Sequence, residues 1–206
     1  DDLSNDNSYE VLESLVKNDN RFHLIKNEEK KYKLKNIDDL ISTFDDQDIV
    51  IELDGDDFLL SDETISDIKK IYSDKNTWLT NGSFIYSNGT HGFSSKANPN
   101  TIRKDVFTFS HLRTWKTFLW KAIPKNYFLD TDGNYFKSAT DVAYSFALLE
   151  LSGEKHYKFL PKTYYVYNAD SPYNEHKPNS SAGGLGEQER CAKIIRSFPS
   201  LEKLNY

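Results

Sequence analysis

Four residues, Asp54-Gly55-Asp56-Asp57, follow directly on a β-branched run, Asp48 to Leu53 (DIVIEL), and form the strongest candidate for chemistry in the chain. Such a run reads as a strand buried on both faces. Open α/β sheets bind ligands just beyond the carboxyl ends of their strands. Carboxylates on a tight turn there can hold a hard divalent cation, Mg2+ or Mn2+, with coordination positions left for phosphate oxygens. Gly55 is expected to let the backbone turn sharply enough for the acids to converge. A solvated acidic turn is the plain alternative.

A second acidic turn opens the chain, Asp1-Asp2-Leu3-Ser4-Asn5-Asp6. It reads as a strand end leading into a helix, where a carboxylate can accept hydrogen bonds from a base or ribose while Ser4 or Asp6 caps the helix. Capping alone would account for it in isolation. Two acidic turns at the ends of neighbouring parallel strands, however, would face one crevice.

Asp141, in Ser138 to Tyr144 (SATDVAY), starts an amphipathic helix. The helix dipole favours an acid in a first turn. As a general base, Asp141 would be kept ionised by that dipole but weakened, so partial desolvation would have to compensate. His176, in Asn174-Glu175-His176-Lys177, lies in a polar loop, either exposed or completing a metal shell with Lys177 near phosphate. Ser110 to Trp115 (SHLRTW) offers His111, Arg113 and Trp115 at the start of a helix, a set suited to a phosphate or a sugar. Otherwise Trp115 is core and His111 and Arg113 are surface. Asp130 to Asn134 with Asp141 has nearly the spacing of a calcium loop, but Tyr135 stands where the bending glycine belongs. Tyr164, Tyr165 and Tyr167 read as strand packing rather than sugar platforms.

The elements that must position these groups alternate. Apolar spacing predicts helices over 7–18 and from Leu34 to Phe44, a strand at Phe22 to Ile25, the strand before Asp54, and a helix capped by Ser61. That β-α alternation implies a parallel sheet with crossover helices. Further on, the pattern predicts a strand at Trp78 to Tyr86 and a helix capped by Ser110 that carries Leu112, Trp115, Leu119 and Ile123. A helix from Thr140 to Leu151 closed by Gly153, strands at Phe159-Leu160 and Tyr164 to Tyr167, and a last helix over Gln188 to Phe198 complete it. No repeat or clear linker divides the 206 residues, so one α/β domain is expected.

Composition removes other classes. A net charge of −6 argues against generic nucleic-acid or membrane-surface binding. The single cysteine, Cys191, excludes an internal disulfide framework and a multi-cysteine zinc site. No stretch approaches eighteen apolar residues, so no transmembrane segment is expected, and with no leader pattern the expected location is cytoplasmic. The charge is also uneven. Residues 1–75 carry 21 acids against 10 bases, and residues 76–206 carry 11 against 16. An acidic half and a basic half suggest a cation site facing an anionic ligand, although two solvated surfaces of opposite sign would give the same count.

Taken in order, these segments resemble glycosyltransferases of family 2 with the GT-A fold. The likeness rests on the opening Asp-Asp-x-Ser-x-Asp, the Arg-Phe-x-Leu-Ile run and Ile-Val-x-x-Leu-Asp-Gly-Asp-Asp. Ser-His-Leu-Arg-Thr-Trp-Lys-Thr (110–117), Thr-Asp-Val-Ala-Tyr (140–144), Tyr-Val-Tyr-Asn (165–168) and Asn-Glu-His-Lys (174–177) extend it over nearly the whole chain.

The resemblance implies a mixed sheet flanked by helices, with a nucleotide- and metal-binding half (1–75) and an acceptor-binding half (76–206). It implies metal-dependent, inverting transfer from a nucleotide-sugar, a UDP-sugar above all, to a hydroxyl of a glycan or other acceptor. Asp1 or Asp2 would meet the uracil or ribose, and Asp54 the ribose and metal. Asp56 with Asp57 would hold Mn2+ or Mg2+, with His176 able to join them. Asp141 would be the base, and Arg113, His111 and Trp115 would contact diphosphate or acceptor. The family's first strand and nucleotide loop have no counterpart after Asp1, so residues upstream of it are expected. A non-catalytic nucleotide-sugar or carbohydrate-binding module and a sugar nucleotidyltransferase are the alternatives.

Overall fold

The structure, a computed structural model, describes residues 1–171 and 182–205. Its strands are β1 (Ile49–Ile51), β2 (Phe58–Leu59), β3 (Leu79–Tyr86), β4 (Thr114–Lys116) and β5 (Tyr157–Tyr167). The helices are α1 (Ser8–Val16), α2 (Tyr32–Ile41), α3 (Thr64–Ile71), α4 (Thr117–Lys121), α5 (Thr140–His156) and α6 (Gly184–Ser197). The strands form one sheet in the order β1-β4-β3-β5-β2. β3 and β5 run parallel, joined through α5, while β1 with β4, β3 with β4, and β2 with β5 are antiparallel. The sheet is therefore mixed, not the parallel one that the β-α alternation predicts.

Two expected elements change for stated reasons. Phe22 to Ile25 is no strand: Asp1 donates to the Ile25 carbonyl at 2.6 Å and accepts from the Asn27 amide at 3.0 Å, and the pairing goes no further. Phe22 and Ile25 stay more than half exposed. The helix expected from Ser110 starts only at Thr117, because residues 114–116 form β4. The Leu112/Trp115 spacing fits a helix, but in the structure side chains alternate between two faces, as in a strand. Leu112 and Thr114 face α3, where the Thr114 hydroxyl lies 2.9 Å from that of Tyr72. Arg113 and Trp115 face α5 and pack against Tyr144.

That alternation divides the core in two. The larger cluster joins Trp115, Trp120, Phe128 and Tyr144 with the apolar body of α5. The smaller gathers Ile68, Phe84, Leu112 and Tyr165 on the opposite face. α5 is buried on nearly all sides from Ala143 to Gly153, which explains its apolar sequence. Gly153 ends its regular part, with φ +58, a conformation that glycine adopts without a Cβ penalty. No helix among the described residues is long and apolar enough to cross a membrane.

One charged group lies inside this helix. Glu150 accepts two hydrogen bonds from Arg103, at 2.6 and 2.8 Å, and one from the Leu201 amide at 3.0 Å. Arg103 also donates to the Ile195 carbonyl at the end of α6. The pair thus ties the 98–105 turn, α5, α6 and the chain end together. Removing one partner leaves the other charged and buried, a change that costs about 3–5 kcal/mol. Glu150→Ala is expected to lower the melting temperature by roughly 6–20 °C for a domain of this size. A calorimetric scan showing a drop of under about 2 °C would refute this role.

Candidate active site

The antiparallel β1–β4 pairing sets the site. Its register puts Ile51 opposite Thr114, and the Glu52 amide continues it by bonding the Arg113 carbonyl at 3.1 Å. Glu52 and Arg113 are therefore cross-strand neighbours with side chains on one face. Arg113 Nε donates to Glu52 Oε2 at 2.7 Å, and the Tyr144 hydroxyl donates to the same oxygen at 2.5 Å. Lys33, from α2, lies 2.8 Å from Glu52 Oε1 and also pairs with Asp54. Burial would raise the Glu52 pKa, but Arg113 and Lys33 outweigh it and hold the carboxyl far below its usual range. Burial likewise opposes the charges on Arg113 and Lys33, and nearby acids reverse it, so both cations are strengthened.

Beyond Glu52 the chain enters the acidic turn, closed by a hydrogen bond from the Asp57 amide to the Asp54 carbonyl at 3.1 Å. Asp54, Asp57 and His111 each offer one ligand atom here, and the three atoms lie within 4.8 Å of one another. Tyr165 of β5 organises all three. Its hydroxyl donates to Asp57 Oδ2 at 2.6 Å and accepts from the Asp54 amide at 3.3 Å, and its ring stacks on His111 at 4.2 Å. The Asn168 amide holds the other Asp57 oxygen at 2.8 Å.

Burial raises the Asp57 pKa, helped by Asp56 and Asp54, against the hydrogen bonds that oppose it. Burial and then Arg113 hold the His111 pKa well below 6.5, which keeps its imidazole neutral. Two carboxylates and a neutral imidazole suit Mn2+ or Mg2+, with the nitrogen favouring Mn2+.

The expected residues fall in different places. Asp54 and Asp57 join the three-ligand cluster, which Asp56, half-buried on the same turn, does not. His111 enters it from the neighbouring strand end. His176 lies outside the described residues. Asp141 stands in the first turn of α5, its side chain 34% exposed, with Arg113 Nη1 at 3.5 Å.

Arg113 itself is 1% exposed, so the expected contact with a nucleotide-sugar is corrected: its guanidinium is enclosed by Glu52, Asp141 and His111. Trp115 is wholly buried beside Trp120 and Tyr144, which corrects its reading as an acceptor contact. Asp2 accepts hydrogen bonds from the Lys31 and Tyr32 amides and from Asn27, all at 2.8 Å, and so serves the start of α2. Although burial works against it, these bonds lower its pKa to about 2. Asp1 lines one groove with Lys33, Glu52 and Asp54. Gly55 has open space around it and no left-handed φ, so the turn does not depend on glycine as expected. Asp130 accepts from the Asp132 and Asn134 amides and shapes a polar turn.

Four residues escaped the sequence reading. Glu52 is hidden in the strand run, Lys33 and Tyr144 in helical patterns, and Tyr165 was read as packing. A charge inside a buried-strand pattern was the available signal for Glu52, since such charges are paired when buried.

Residues 1–150 match the family model described as "Glycosyl transferase family 2". Among solved structures, the chain is similar to residues 1–349 of S. aureus TarS, with 20% identity and a TM-score of 0.59 over 82% of this chain and 49% of that one. A second S. aureus TarS structure gives 18% identity and a TM-score of 0.60, covering 95% of this chain and 35% of that one. The chain thus spans about half of the first and about a third of the second. At such identity the likeness is one of fold, and the fold is the GT-A arrangement, a mixed sheet flanked by helices. No curated protein matches the chain.

Two expectations follow. Mn2+ should raise the melting temperature, and Asp57→Asn or His111→Ala should abolish that rise, since a ligand of the folded state stabilises by mass action. A folded pKa raised above the unfolded one gives stability at low pH that is lost as pH rises through it. Metal-free Asp57→Asn should therefore be no less stable than the wild type at neutral pH. A variant that melts lower without metal yet keeps its Mn2+ response would overturn the assignment.

Asp2 behaves in the opposite sense. Its folded pKa is depressed, so its contribution is full above about pH 4 and is lost as pH falls through about 2. Asp2→Ala should cost about 1–2 kcal/mol at neutral pH, with the gap to wild type closing in acid. An unfolding series across pH that shows a constant gap would count against the bonds to Lys31 and Tyr32 as its source.

Proposed function

The chain belongs to glycosyl transferase family 2, and from that premise we propose that it transfers a sugar from a UDP-sugar to an acceptor hydroxyl, inverting the anomeric centre. The observation that carries this reading is one guanidinium, Arg113, touching both a member of the three-ligand cluster, His111, and the carboxylate at the start of α5, Asp141. Two chemistries, cation binding and proton acceptance, thus meet on one buried frame.

Asp54, Asp57 and His111 would hold Mn2+ or Mg2+. Bound there, the cation offsets charge building on the diphosphate as the sugar–phosphate bond breaks. Asp56 flanks the cluster and adds negative charge that favours a cation. Asp1, at the lip of the groove it shares with Asp54, would face the nucleoside. Asp2 is engaged at α2 and supports this lip from below.

Asp141 would take the acceptor proton as the oxygen attacks. A single displacement by an oxygen on the face opposite the leaving group inverts the anomeric carbon. The first 75 residues would serve the donor, and the remainder the acceptor, except that His111 of the three-residue cluster and Tyr165, which bonds Asp57, come from the second part.

The test is a panel of UDP-sugars assayed for hydrolysis and transfer with Mn2+, Mg2+ or chelator. Transfer is expected only with a divalent cation. Asp141→Asn should lower kcat by about 10²–10⁴-fold while UDP still binds with Mn2+. Unchanged transfer in Asp141→Asn would remove it as the base. A chain that binds UDP-sugar with Mn2+ and turns over none of them would instead be a binding module.

A further inference from the structure

We propose that Lys33 is a built-in counter-ion of the acidic turn: it holds Asp54 when no divalent cation is bound, competes with that cation, and falls back on Glu52 when the cation arrives. The proposal rests on the reading of Asp54 and Asp57 as cation ligands given above. Lys33 stands in the first turn of α2 and reaches the end of β1, where the acidic turn begins. Its ammonium donates to Asp54 Oδ1 and lies 2.8 Å from Glu52 Oε1. The Lys33 and Asp54 side chains are 24% and 28% exposed, and both line the groove that Asp1 shares. A cation entering that groove therefore meets the ammonium and the carboxylate together.

The state of Glu52 carries the argument. Its Oε2 accepts from Arg113 at 2.7 Å and from Tyr144 at 2.5 Å. Its Oε1 is buried and, among the described residues, accepts no hydrogen bond, although Lys33 Nζ is within reach. The ammonium is thus close to both carboxylates but aligned on Asp54 alone. An unsatisfied buried acceptor is costly, and a small turn of the Lys33 side chain toward Oε1 satisfies it while releasing Asp54. Lysine suits such a shift, being a compact charge on a flexible stem with three rotatable donors.

Charge sets the consequence. An ammonium at Asp54 repels a divalent cation at the same carboxylate, whichever of its oxygens that cation takes. Without the cation, the ammonium offsets part of the repulsion among Asp54, Asp56 and Asp57, which share one turn. Lys33 therefore gives the metal-free turn a partner and lowers its affinity for metal. A purely structural ion pair predicts the reverse, because it would hold Asp54 in place for the cation and its removal would weaken binding.

The experiment titrates Mn2+ into the wild type, Lys33→Gln and Lys33→Arg, reading free Mn2+ by electron paramagnetic resonance and correcting each protein for its folded fraction. Lys33→Gln is expected to bind Mn2+ at least threefold more tightly than the wild type. Lys33→Arg, which keeps the charge, is expected to show no such gain. Unchanged or weaker binding in Lys33→Gln overturns the competition and leaves the cation site standing. An equal gain in Lys33→Arg overturns charge as its cause. If neither the wild type nor Lys33→Gln binds Mn2+, the reading of the turn as a cation site fails, and this proposal with it.

Discussion

The structure depends on the cost of burying charge. Glu52 and Arg113 face each other across β1 and β4, almost out of water, and either alone would be several kcal/mol too costly to keep. Their attraction becomes favourable only because further groups complete it: Tyr144 from α5, Lys33 from α2, and Asp141 and His111 at longer range. Each of those comes from a different element. The requirement that a buried charge be paired therefore fixes the relative placement of α2, β1, β4 and α5, beyond what apolar packing demands. Packing alone tolerates a range of side chains of similar volume.

A second tension sits one step further along β1. Asp54, Asp56 and Asp57 are close enough for their like charges, together with burial, to push Asp57 toward its neutral form. Burial and Arg113 likewise keep His111 uncharged. The site thus holds a carboxylate whose pKa is raised and an imidazole that stays uncharged. A divalent cation held there would reverse the preference of the carboxylate. Tyr165 makes this state durable by bonding Asp57 and the Asp54 amide while stacking on His111. Stability and cation binding pull in opposite directions at Asp57, which is the pattern expected where a site is shaped for a ligand.

What could be read in the sequence follows from the range of the interactions involved. Asp54 and Asp57 were legible because a β-branched strand and an acidic turn are local features. Asp141 and the end of α5 at Gly153 were legible for the same reason. Strand direction was not: β1 meets β4 across more than sixty residues, and no local pattern distinguishes an antiparallel partner from a parallel one. The stretch from Ser110 misled because Leu112 and Trp115 satisfy helical spacing, although alternation along β4 sends them to opposite faces of the sheet. Arg113 looked like a surface cation since arginine is rarely buried. Its partner, Glu52, lay inside the strand run itself. Composition favours a solvated charge on average, and only the tertiary pairing shows the exception.

The charge arithmetic also takes a different meaning. An acidic first part and a basic remainder suggest a cation site facing an anionic ligand. Two of the basic residues in that remainder, Arg103 and Arg113, are spent inside the protein on Glu150 and Glu52. Lys33, from the acidic part, is likewise committed to Glu52 and Asp54. Among the described residues, Arg103, Arg113 and Lys33 are therefore already paired, and the carboxylates of the turn keep their negative charge beside them. A diphosphate approaching that turn meets net negative charge at short range, where screening by salt is weakest. On the proposed reading it would settle there together with a cation that binds both. On the same reading, a need for a metal would arise from how the arginines are used, since an unpaired Arg113 at the surface would have met the diphosphate on its own.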